Sequence, residues 1–108
     1  MAREAVLNVT ITKKLRDILY DKAEAKRKRI GDFIDEILFD ANSRYNASPV
    51  DFRTMARYAD FENKVLMTIR CESHLKKMLQ SYSERDTGGD MSIAFQMIAS
   101  NYLSLHEL

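Results

Sequence analysis

Apolar and polar positions in this 108-residue chain follow two rhythms, and each rhythm occurs twice. Leu7, Val9 and Ile11 alternate with Asn8, Thr10 and Thr12, the period of a strand with one dry face and one polar face. The period then lengthens. Leu15, Ile18, Leu19 and Ala23 share one face of a helix predicted over about 13–26. After a basic run, Gly31-Asp32 opens a second helix with Phe33, Ile34, Ile37, Leu38 and Ala41 on one side. Farther on, Val65, Met67, Ile69 and Cys71 alternate with Leu66, Thr68 and Arg70. Leu75, Met78, Leu79 and Tyr82 mark a helix over about 73–85. Thr87-Gly88-Gly89-Asp90 breaks it, Ser92 is the expected N-cap, and a last helix carries Phe95, Ile98, Ala99 and Tyr102.

The two passages align at an offset of about 60 residues: Leu7 on Met67, Val9 on Ile69, Ile11 on Cys71, Leu15 on Leu75, Ile18 on Met78, Leu19 on Leu79. Later the offset slips to 61, with Ile34 on Phe95 and Ile37 on Ile98. The chain therefore divides into a first unit over 1–45, a connector over 46–63 and a second unit over 64–108. The connector holds a turn at Asn46-Ala47-Ser48-Pro49, then a short helix predicted over about 50–60 that would bury Val50, Met55, Ala56 and Ala59. A lone strand would expose unpaired backbone on both edges, so each strand needs the other. The expected fold is α+β and mostly helical: a two-stranded antiparallel ribbon closed underneath by four helices, both units packed as one domain.

Composition narrows the function classes. The net charge of +1 neither demands nor excludes a nucleic-acid partner, since a local patch matters more than the sum. Residues 1–47 carry 10 Lys/Arg against 8 Asp/Glu, the remainder 7 against 8, and Lys26-Arg27-Lys28-Arg29 is the one dense cluster. The single cysteine forms no internal disulfide and matches the core position of Ile11. No apolar stretch nears the roughly 18 residues of a membrane helix, and no signal-peptide core follows Met1-Ala2-Arg3-Glu4, so the cytoplasm is expected and a membrane is not. His74 and His106 lack companions at ligand spacing, and no catalytic set or glycine-rich phosphate loop is present. No enzyme activity, metal or cofactor is expected.

Leu15-x-x-x-Leu19-x-x-x-Ala23 in the first unit, and Leu75-x-x-x-Leu79-x-x-x-Ser83 followed by Thr87-Gly88-Gly89-Asp90-Met91-Ser92 in the second, resemble the ribbon-helix-helix family of the Arc and MetJ repressors. Carrying both units in one polypeptide is similar to TraY-type proteins of conjugative plasmids. The first unit departs at its turn, where Arg27 replaces the usual glycine and Gly31 the capping serine. The resemblance implies an intramolecular pseudo-dimer whose ribbon enters the major groove of double-stranded DNA. The ribbon residues implied as base readers are Asn8, Thr10 and Thr12 from one strand and Thr68 and Arg70 from the other. These side chains complement base edges, since Arg pairs with guanine, Asn with adenine, and Thr offers a hydroxyl and a methyl to thymine. The family grips phosphate at the start of each second helix, which implicates Gly31, Met91 and Ser92. Lys26, Arg27, Lys28 and Arg29 would add phosphate contacts.

The implied role is a transcriptional repressor or an accessory factor of a nucleoprotein complex, in a bacterium, plasmid or phage. Unlike residues on the two strands mean that the half-sites need not be palindromic. Few phosphate contacts per molecule imply self-association on DNA. Asp32, Glu72, Asp90 and the apolar Leu66 oppose this reading. The near-neutral charge, Glu72 and Leu66 favour the rival one, a protein-interaction module on the same fold that inhibits or adapts a partner protein. A small all-helical bundle, with both strand segments as loops, is the third expectation.

Overall fold

Helix α1 (Lys13–Ala25) begins on the residue after strand β1 (Ala5–Thr12) ends, because Thr12 serves both elements. Its backbone is extended, while its Oγ1 accepts from the Leu15 N–H at 3.3 Å and caps the helix. The structure, a computed structural model, describes residues 5–46, 53, 55–58 and 63–106. After α1 come α2 (Ile30–Tyr45), α3 (Met55–Tyr58), β2 (Lys64–Cys71), α4 (Ser73–Asp86) and α5 (Met91–Leu105). The fold is α+β and mostly helical, with one two-stranded antiparallel sheet. Both strand segments are therefore strands, and the all-helical alternative is overturned.

Of the expected connector helix, the described residues show α3 over Met55–Tyr58, with Met55 and Tyr58 partly buried against the core. Val50, Ala59, the turn residues 47–49 and the side chain of Ala56 lie outside the described residues.

The strand register carries the internal repeat. Asn8 opposes Thr68, its own counterpart at an offset of 60. Leu7 consequently faces Ile69, the counterpart of Val9, and Val9 faces Met67, the counterpart of Leu7. Inward positions are dry: Leu7, Val9, Ile11 and Cys71 are fully buried, Met67 and Ile69 nearly so. Beneath them lie Leu15, Leu19, Phe33, Ile34, Ile37, Leu38, Leu75, Leu79, Phe95 and Ile98 in one continuous core. Each such side chain contributes about 1.5–3 kcal/mol relative to exposure.

The helices interlock the two units. Helix α2 packs against β2 and α5 against β1, so each second helix covers the strand of the other unit. Phe33 of α2 and Tyr102 of α5 meet edge to face, with ring centroids 5.9 Å apart.

The slip in the repeat offset has a structural address. In the α1–α2 turn Arg27 takes the left-handed conformation (φ +56°), and the Lys28 N–H donates to the Ala23 carbonyl five residues back. In the α4–α5 turn Gly88 and Gly89 take positive φ, and the Gly89 N–H reaches the Ser83 carbonyl six residues back. One extra residue in the second turn moves every later counterpart by one.

Candidate nucleic-acid interface

The outer face of the ribbon carries three cross-strand pairs: Val6–Arg70, Asn8–Thr68 and Thr10–Leu66. All six side chains are exposed. Four are residues expected there from the alternation, and the fifth is the awkward Leu66. Val6 adds an apolar residue that the alternation left out. Its signal was present, for Val6 stands 60 residues before Leu66 and shares its face.

Thr12 does not join this face. It is buried (1% exposed), and its hydroxyl is committed to capping α1 and to the Tyr58 carbonyl at 3.4 Å. The alternation places it outward, but the chain turns into α1 at that residue and carries it inside.

At the centre, Thr68 Oγ1 donates to Asn8 Oδ1 at 2.7 Å. This occupies Oδ1 of Asn8 as an acceptor, and its Nδ2 keeps two donor hydrogens. Arg70 has no carboxylate partner among the described residues, so its guanidinium is available.

The outer edge of β1 is closed by α5. The Thr10 N–H donates to Ser92 Oγ at 2.9 Å, and the Thr12 N–H donates to Gln96 Oε1 at 3.1 Å. Ser92 and Gln96 are one helical turn apart, so together they satisfy two successive edge donors. This corrects the expected cap. Ser92 lies inside α5 and bonds to the ribbon, while Asp90 is the N-cap, its Oδ1 accepting from the Ile93 N–H at 3.0 Å. With a carboxylate there, the first turn holding Met91 and Ser92 is poorly suited to phosphate.

The start of α2 differs. Arg29 is its N-cap residue and makes no side-chain cap bond, and Gly31 is buried in the first turn. The preceding basic residues divide into two kinds. Arg27 and Arg29 are exposed and have no carboxylate partner among the described residues. Lys26 (3.2 Å) and Lys28 both pair with Glu36 on α2. Glu36 also accepts from the Tyr102 hydroxyl at 2.8 Å. Partial burial alone would raise the Glu36 pKa, but bonds from Lys28, Tyr102 and Lys26, with the Lys26 charge, bring it down to about 2. Burial and the Glu36 bond push the Tyr102 hydroxyl well above its usual pKa. Half of the basic run is thus structural, and pattern alone did not mark Glu36 as its partner.

Beside the ribbon, a cleft between α1 and β2 is lined by Arg16, Asp17, Tyr20, Asp21, Leu66, Met67 and Thr68. Asp17 pairs with Arg16 at 3.1 Å. The His74 ring sits 3.4 Å from a Glu72 carboxylate oxygen at the far end of β2. Cys71 is fully buried, and burial raises its thiol pKa. Among the described residues no three His, Cys, Asp or Glu side chains form a metal-binding group, and no helix is long and apolar enough to cross a membrane. No family model, curated protein or solved structure matches the chain.

Proposed function

We propose that the chain is a tandem, single-chain ribbon-helix-helix protein that binds double-stranded DNA through the major groove. The observation that carries this reading is the ribbon's outer face, uncovered by any described element and presenting Asn8, Thr10, Thr68 and Arg70. A two-stranded ribbon fits the major groove, and these side chains match base-edge chemistry. The register centred on Asn8–Thr68 supports a pseudo-twofold arrangement of the two units. The departure of Thr12 leaves four polar readers. Arg27, Arg29 and the start of α2 are the better phosphate anchors, and the α5 start is the weaker. The cellular role is that of a cytoplasmic transcriptional repressor or nucleoprotein accessory factor, with neighbouring molecules associating on DNA.

Titration of duplex DNA across salt, followed by site selection from random sequence, tests the reading. The expected result is binding that weakens steeply with salt and enriches a short motif. Arg70→Ala is expected to cost about 1–3 kcal/mol of specific binding and to relax preference at one base pair. Unchanged affinity and preference in that variant would sink Arg70 as a reader.

One observation favours the rival function, a module that docks a partner protein. Asp17 and Asp21 border the cleft beside Leu66 and Thr68, where carboxylates would repel a nearby phosphate. Absence of DNA binding even at low salt, with a protein partner protecting this cleft, would establish that reading instead.

A further inference from the structure

We propose that Leu66 and Val6 are specificity residues that recognise the 5-methyl groups of two thymines about four base pairs apart. This rests on the DNA-binding reading above. Leu66 is 68% exposed and Val6 38%, both on the ribbon's outer face. They are counterparts at the 60-residue offset and stand at opposite ends of the face, Leu66 opposite Thr10 and Val6 opposite Arg70. Four positions along the ribbon separate the two pairs, about 14 Å at ~3.4 Å per residue. The rise between stacked base pairs is also ~3.4 Å, so the span matches about four steps.

Their separation argues against a simple protein-docking patch. The hydrogen-bonded Asn8–Thr68 pair lies between them, so the face lacks the contiguous apolar centre of a protein interface. In the major groove only thymine presents a methyl group, and an apolar side chain is its natural contact. Each end of the ribbon then reads with one apolar and one polar residue. Arg70 with Val6 suits a guanine near a thymine. Thr10 with Leu66 suits a thymine whose O4 can accept from the hydroxyl. The two ends differ, so the preferred site has a direction.

The test uses the full chain and a site selected from random duplex DNA, with each thymine replaced in turn by deoxyuridine, which lacks only the methyl. Two positions about four base pairs apart are expected to lose about three- to fivefold in affinity. Leu66→Ala should abolish the thymine–uracil difference at one of them and leave the other, and Val6→Ala should do the reverse. Leu66→Thr, which keeps a methyl, should retain part of the discrimination. Unchanged thermal unfolding in these exposed-site variants separates a reading defect from a folding defect. Specific binding that is blind to every thymine methyl overturns this proposal and spares the DNA-binding reading. Discrimination that survives in both alanine variants overturns it too. No binding to any duplex at low salt overturns both.

Discussion

Among the described residues, Arg27 bears the clearest local backbone cost. A side chain in the left-handed region is strained by about 1–2 kcal/mol, and the α4–α5 turn avoids that with glycine. Arg27→Gly is therefore expected to stabilise the fold by about 0.5–1 kcal/mol, offset partly by a freer unfolded chain, with a rise in thermal midpoint. If Arg27 also holds phosphate, the same variant binds DNA more weakly and with a shallower salt dependence, so stability and binding move in opposite directions. Glu36 makes a pH-dependent contribution. Its folded pKa of about 2 lies below the ordinary 4.5, so its stabilisation is complete above pH ~4.5 and is lost as pH falls towards ~2. Solvent screening of the exposed lysines limits the effect to on the order of 1–2 kcal/mol. Acid titration of thermal stability should show this loss in the native chain and a flatter curve in Glu36→Gln. Sequence spacing marks the basic run, but not which of its residues are already paired, because pairing depends on how α1 and α2 meet.

At the level of elements, the ribbon's weakness is its edges. A two-stranded sheet has an outer edge on each strand, and α5 closes that of β1 with Ser92 and Gln96. Removing Gln96 strands the buried Thr12 donor, at a cost of about 1–3 kcal/mol, whereas water can replace Ser92 at the exposed Thr10 donor, where the loss is about 0.5–1.5 kcal/mol. Gln96→Leu should therefore lower stability more than Ser92→Ala, with faster hydrogen exchange at the Thr12 and Thr10 amides respectively as the residue-specific readout. The elements themselves were legible. Both strands and the four long helices fall where the change of period from two to 3.6 puts them, to within a residue or two. Ser92 was misplaced because serine is a good cap in isolation, whereas Asp90 sits two residues earlier and takes that position. Thr12 was misplaced because alternation cannot show where a strand ends in a helix.

At the scale of the molecule, the units are interlocked, since α2 covers β2 and α5 covers β1. Neither unit encloses its own strand, and each alone is near the size at which a core is marginal. Residues 1–46 and 63–108 prepared separately should therefore lack cooperative unfolding at low concentration, and mixing them should restore it, as read by circular dichroism. Independent folding of either piece would contradict the interlocked packing. By itself the sequence determined the repeat, the order of elements and the dry side of each, because periodicity reports which positions must leave water. It also marked the polar ribbon residues as a candidate reading face. Only the tertiary structure decided the register about Asn8 and Thr68, the burial of Thr12, the sealing of the β1 edge and the capture of Lys26 and Lys28 by Glu36. Those outcomes depend on contacts between residues far apart in the chain, and no local pattern encodes which distant partner a side chain will meet.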